Sequence, residues 1–326
     1  MSWNSILAAL SAILVLTASE TISDQCEIQE ETTVRCSCVG NEEFFLPDNY
    51  NYENVTSVFV SSCTSGNMHF SSLTEAKGLR ELVIQNISGT LIFEPFLTTR
   101  NLTKLQLLNI GRIPVVSHDT FTSLTSLQVF HAENIAIGHF EEQFLGVVVS
   151  ALIFQNVTVG RMDGLNLSER GKVLQLVDCD FGKVETTLNF AFFADIAILG
   201  SKFELQRPSH VSIEGTTALV EDSVFLNVSL NLVAFNQITI RGICADGKSS
   251  LRLSSNSIES LENRLPTEII YTKSQGPNDR GLLLSRNNTV CIAGNCKCLK
   301  SEGNVFHLHR IAVCAVLLLF YKVMLP

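Results

Sequence analysis

Two pairs of adjacent acids, Glu141-Glu142 and Glu221-Asp222, are the residues of this chain best placed by type for acid–base chemistry. Paired carboxyl groups cleave glycosidic bonds when they face each other across a cleft at roughly 5 to 9.5 Å. Neighbours on one extended strand point to opposite faces, so neither pair meets that requirement and both read as solvated surface. His69, His118, His131, His139 and His210 are scattered without a metal-gathering spacing and read as surface or turn residues. The chain holds no GxSxG elbow, HExxH, GxGxxG or phosphate-cradling glycine loop. Neither an enzymatic activity nor a cofactor is expected.

Cysteine is the other chemistry-bearing residue. Cys26, Cys36, Cys38 and Cys63 cluster near the start, and Cys244, Cys291, Cys296 and Cys298 near the end. C-x-C spacing can serve a metal, but no histidine falls near either group, and an oxidising compartment favours disulfides. Four cysteines allow three pairings; Cys26–Cys38 with Cys36–Cys63 is the expectation for the first group. Cys179 is left over and is expected to be buried, unpaired and inert.

The elements that position these residues repeat. Val55, Val58, Val60 and Cys63 fit the form LxxLxLxxN/C, as do Leu79, Leu82, Ile84, Ile87, then Leu102, Leu105, Leu107, Ile110, and later Gly171, Leu174, Leu176, Cys179. Alternation is strict over four to six residues, as in Val58-Phe59-Val60, and β-branched residues dominate, so these are strands. A chain of such units is a solenoid, each turn burying its apolar edge against the next. The two cysteine groups bracket the repeats where terminal turns would otherwise expose the core.

Both ends read as processing signals. Ile6 to Leu16 is an apolar run followed by Thr17-Ala18-Ser19, the pattern of a secretory leader spanning residues 1–18. Ser301-Glu302-Gly303, a short polar spacer and the apolar Ile311–Tyr321 form the three-part arrangement of a glycosylphosphatidylinositol attachment signal over residues 301–326, with Ser301 the preferred attachment residue and Gly303 and Asn304 the alternatives. Seven Asn-x-Ser/Thr sequons, at Asn54, Asn86, Asn101, Asn156, Asn166, Asn227 and Asn287, agree with an extracellular glycoprotein. A formal charge of −9 with no basic run argues against nucleic acid as a partner.

The stretch Leu79–Leu145 resembles the extracellular leucine-rich-repeat family. Phe96-Leu97, Phe121-Thr122-Ser123-Leu124 and Phe144-Leu145 look like its convex-side signature, and the front cap ending Cys36-Ser37-Cys38 is similar to the family's N-terminal cap. The resemblance implies a β-rich, right-handed parallel β-solenoid with disulfide caps at both ends. The expected organisation is a cap and first strand over 19–63, a solenoid over 64–243 that is irregular after about 200, and terminal coils with a second cap over 244–300. Final repeat slots are read at 63, 87, 110, 132, 157, 179 and 201, a step of 22 to 25. The family prefers Asn there, but Ile87, Ile110, Val157 and Ser201 occupy it, so those turns must satisfy their backbone otherwise. Beyond 201 the coils look shorter, with Pro208, Val211, Ile213 and Thr216 only fifteen residues on, and Asn reappears in the slot at Asn256 and Asn287.

Residues between the core positions must face outward. One column then reads Phe59, Val83, Gln106, Gln128, Ile153, Gln175, Ala197, and the next Ser61, Gln85, Leu108, Phe130, Gln155, Val177, Leu199. In an acidic chain these columns hold almost no charge, which fits a protein–protein interface. The expectation is a non-enzymatic cell-surface binding protein (adhesion molecule, receptor or co-receptor), lipid-anchored in the outer leaflet, whose partner is an extracellular or membrane protein or a further copy of itself. The alternative is a secreted structural protein of an extracellular matrix or cuticle-like layer.

Overall fold

The computed structural model describes residues 19–21, 25–38, 43–44, 46–47, 50–68, 73, 76–93, 100–121, 124–141, 149–167, 170–273, 282–291, 296 and 298. Residues up to Cys296 form one compact unit, a parallel β-solenoid of about 10 turns with no α-helix among the described residues. The leader, Ser301 and the whole of 301–326 lie outside the described residues.

The chain opens with the antiparallel strands Ser19–Thr21, Cys26–Gln29 and Thr33–Ser37, and the last of these starts the parallel stack. One inward position can then be followed from turn to turn through hydrogen-bonded neighbours: Val34, Val58, Leu82, Leu105, Phe130, Leu152, Leu174, Ile196, Ala218, Ile238, Ile258 and Leu283. Each of these except Leu283 is buried. The stack satisfies every inward residue with a like neighbour above and below, which is why one turn alone could not fold.

The turns are bent strands rather than a strand followed by a loop. Glu81–Phe93, Lys104–Val116, Val129–Phe140 and Ala151–Met162 each run 12 or 13 residues through a corner and form ladders on both sides of it. At that corner a residue with positive φ recurs in every turn: Ser62, Asn86, Asn109, Asn134, Asn156, Asp178, Gly200, Asp222, Gly242, Glu262 and Asn287. Asn, Asp and Gly carry the left-handed conformation at least cost, and all of these corner residues but Ser62 and Glu262 are of those types. From Leu165 onward a third ladder joins, in which Leu165, Leu188, Val211, Leu230 and Leu251 follow one another.

That third ladder corrects the fifteen-residue step expected after 201. Lys202–Glu221 is a single 20-residue strand, and Val211 and Ile213 belong to its third side rather than to a new turn. Ile196 and Ala218 are still 22 residues apart, and only the next two steps, to Ile238 and Ile258, shorten to 20. Asn256 is likewise not in the repeated slot. Asn287 is the left-handed corner residue, one place before it.

Inside the corner the core is aromatic. Phe130, Phe154, Phe181, Phe203 and Phe225 continue ring to ring, with the last two pairs at 5.1 and 5.2 Å between centroids and nearly parallel. Spacing of this kind suits rings carried on successive rungs about 4.8 Å apart. The disulfides are Cys26–Cys36 and Cys38–Cys63, not the expected Cys26–Cys38 and Cys36–Cys63. Cys26 and Cys36 stand directly opposite in the antiparallel register, which leaves Cys38 to tie the cap to the first full turn. Cys291 pairs with Cys296, and Cys244 and Cys298 are each disulfide-bonded.

Candidate functional site

The face that sequence reasoning singles out is the outer side of the first ladder. Hydrogen-bond register places Phe59, Val83, Gln106, His131, Ile153, Gln175 and Ala197 in one outward column, and Ser61, Gln85, Leu108, Glu133, Gln155, Val177 and Leu199 in the next. Twelve of the fourteen expected positions are therefore brought together. The two misplaced ones are Gln128 and Phe130, which belong before and inside the strand; His131 and Glu133 stand in their places.

The cause is turn length. Leu105 and Phe130 are 25 residues apart in paired register, three more than the following steps, so counting a shorter repeat slides the assignment by three. The repeated slot is Ile135, paired with Ile110 and Val157, not Ala132. A signal was present in the chain: the corner dipeptides Asn86-Ile87, Asn109-Ile110, Asn134-Ile135 and Asn156-Val157 mark the register directly. Phe130 is 2% exposed within the aromatic stack, so an aspartate there would break the core rather than a surface.

The corrected residues change the electrostatics of the face. Gln106 Nε2 and His131 Nδ1 lie 3.2 Å apart, and His131 Nε2 is 3.4 Å from Glu133 Oε2. Burial holds the imidazole below its ordinary pKa, opposed by the nearby Glu133 carboxylate. Lys104 and Glu81 close a 2.6 Å ion pair beside it, and the Arg35 guanidinium lies 4.6 Å over the Phe59 ring. Below Leu199 the same columns turn polar and charged, through Glu221, Arg241 and Glu259.

Accessibility divides the face. Phe59, Gln85, Gln106, Leu108 and Gln155 are half-buried, as outward side chains on a flat ladder should be. Val83, Ile153, Gln175, Val177 and Leu199 are only 2 to 5% exposed, although they point away from the core. The surface open to a partner therefore concentrates in the turns from Phe59 to Gln155.

The corner bordering this face carries its own order. Asn109 Nδ2 donates to Asn86 Oδ1 at 3.1 Å, Asn134 Nδ2 to Asn109 Oδ1 at 2.6 Å, and Asn156 Nδ2 to Asn134 Oδ1 at 2.8 Å. This exposed amide ladder stands one residue before the slot where the family's Asn was sought. Within the slot, a second ladder serves later turns: the Cys179 N–H donates to Ser201 Oγ and the Ser201 N–H to Ser223 Oγ, both at 3.2 Å. Further on, the Ile243 N–H donates to Asn263 Oδ1 at 2.9 Å and the Asn263 N–H to Asn288 Oδ1 at 3.1 Å. Small polar side chains thus meet backbone groups that a buried turn would leave unpaired. Cys179 is free and buried, in the slot expected for it.

Of the sequon asparagines, Asn54, Asn86, Asn101, Asn156 and Asn287 are exposed, and three of them sit on the left-handed corner. Asn166 and Asn227 are half-buried; Asn166 Oδ1 accepts from Asn189 Nδ2, and Asn227 Nδ2 donates to Leu205 O. Among the histidines, His139 Nε2 contacts Asp163 at 2.9 Å, while the His118 N–H donates to Glu141 Oε2 at 2.6 Å. His69 and Glu142 lie outside the described residues. Among the described residues, no group of three or more His, Cys, Asp or Glu could hold a metal ion, and no helix is long and apolar enough to cross a membrane. Comparison with protein families, curated proteins and solved structures gives no match to this chain.

Proposed function

We propose that this chain is a non-enzymatic, cell-surface binding protein that engages an extracellular or membrane protein through the outer side of its first ladder. One observation carries the reading: Phe59, Gln85, Gln106, Leu108 and Gln155 are partly accessible on one continuous ladder of an acidic chain, with Glu133 the one carboxylate in the two columns between Phe59 and Gln155. A charge-poor, mixed apolar–amide surface is the composition of an interface core. The disulfides belong to a chain matured in an oxidising compartment. A cleaved leader, glycans on the exposed sequons and a glycosylphosphatidylinositol anchor at Ser301 complete the reading. Right-handed coiling of leucine-rich-repeat type is part of it, supported by the LxxLxL spacing of the first turns.

The test compares adhesion of cells displaying the full chain with that of cells displaying Leu108→Asp/Gln155→Asp, using untransfected cells as the binding surface. Wild type should adhere, and the double variant should lose adhesion while reaching the surface in equal amount. Phosphatidylinositol-specific phospholipase C should release both proteins. Equal adhesion by the variant would refute the face, and retention after the enzyme would refute the anchor. A structural role in a secreted layer is the second reading, favoured by the apolar residues left exposed on the last turn.

A further inference from the structure

The last described turn leaves apolar side chains exposed. Leu283 continues the inward column that Ile238 and Ile258 occupy at 0 and 4% exposure, yet Leu283 is 48% exposed. Val290, which continues the position of the buried Leu265, is 51% exposed; Leu282 and Ile270, paired with Ser257 and Arg252, are 67 and 50% exposed. The strands Leu282–Arg286 and Thr289–Val290 are each paired on one side only among the described residues. An open edge with apolar side chains is the condition under which solenoids and sheets take on another chain.

The opposite end differs in charge. Among the described residues, 19–56 carry six acidic side chains (Glu20, Glu27, Glu30, Glu31, Glu43 and Glu53) against one basic, Arg35, whereas 264–298 carry three basic (Arg264, Lys273 and Arg286) against one acidic, Glu268. Glu30 and Glu31 are exposed in the left-handed turn of the first hairpin. At the far end Arg264 and Arg286 are exposed on the last turns. The outermost N-terminal strand, Ser19–Thr21, also has a strand partner on one side only among the described residues. Among the described residues, each end therefore finishes in a strand partnered on one side only, and the two ends are opposite in sign.

We propose that copies of this chain associate head to tail, the acidic N-terminal cap of one molecule covering the basic, leucine-bearing last turn of the next. This surface is distinct from the outer face assigned to partner binding, and the two stand or fall separately. Pairing two C-terminal ends would oppose Arg264 and Arg286 with their own copies, whereas pairing unlike ends neutralises them. Such a contact is heterologous and does not close on itself, so it extends into a line of solenoids rather than stopping at two.

Sedimentation of the purified full chain tests this over roughly 1 to 100 μM, at about 0.1 M and about 0.5 M salt. Average mass should rise with concentration without levelling at a dimer, and the higher salt should weaken association. Arg264→Glu/Arg286→Glu and Glu30→Arg/Glu31→Arg should each weaken it by at least about tenfold. Mixing those two variants should restore it, since each then offers the other a complementary end. All samples are run also with Asn287→Gln, so that a glycan beside the last turn does not hide the contact. Monomers throughout in both backgrounds overturn the proposal. So does a dimer plateau indifferent to Glu30 and Glu31, which would mean that like ends meet. Assembly unaffected by either charge reversal overturns it too. A monomer that instead binds phosphatidylcholine–phosphatidylserine vesicles through Arg264 and Arg286 assigns the basic end to a lipid surface and overturns it as well.

Discussion

Cys179 is a nucleophile that the fold disarms. Its sulfur lies 3.4 Å from Val177 O and 3.5 Å from Phe154 O inside the corner, and burial pushes its pKa from 9.0 up to about 12. The unfolded thiol ionises first, so between pH 9 and 12 the unfolded state binds fewer protons than the folded one. Stability is therefore fully present below pH 9 and declines as pH rises, with a slope of about 1.4 kcal/mol per pH unit from this group. Cys179→Ser should lack that contribution, because a serine at this slot extends the hydroxyl ladder of Ser201 and Ser223 without a titrating group. Urea unfolding of both proteins from pH 8 to 11 checks the difference; parallel pH profiles would contradict the assignment.

The corner is the element on which register depends. Asn134 donates to Asn109, accepts from Asn156 and holds φ of 55°. Asn134→Ala removes the hydrogen bonds to Asn109 and Asn156 and replaces a side chain that tolerates the left-handed region with one that does not, for an expected loss of about 1–3 kcal/mol. Asn134→Gly keeps the conformation open and should cost less, so the ordering wild type, Gly, Ala in melting temperature separates backbone from ladder. Equal effects would mean that the amide ladder alone matters. Close stacking imposes a second constraint: a Cβ on Gly111 would lie 2.3 Å from Ser88 O, and one on Gly215 would lie 2.3 Å from Phe193 O. Glycine at those two rungs is what lets successive backbones reach hydrogen-bonding distance.

At the scale of the molecule, stability is a chain of neighbour contacts, and the ends are where it starts to fail. Cys38–Cys63 closes a 25-residue loop that fastens the antiparallel cap to the first full turn. Cys38→Ser/Cys63→Ser should cost about 2–4 kcal/mol and should expose the cap's amides to hydrogen exchange before those of the middle turns. Uniform loss of protection along the stack would show that the cap is not a separate unit. Partial reduction with alkylation of the native protein, followed by mass spectrometry, should identify Cys26 with Cys36 and Cys38 with Cys63.

Alternating apolar residues, a repeating interval and bracketing cysteines were enough to specify stacked parallel strands, because each is a local demand for burial that only a neighbouring turn can meet. Most of the outward columns were legible for the same reason: strand side chains alternate whatever the partner. Three things were decided only by the packed chain. The 25-residue turn before Phe130 moved Gln128 and Phe130 off the face and brought His131 and Glu133 onto it, since register is set by ladder pairing and not by a count. The cap disulfides followed the antiparallel register that sets Cys26 opposite Cys36, a relation invisible in their spacing. The burial of Ile153, Gln175 and Val177 on an outward face depends on what surrounds them in space, which no position along the chain records.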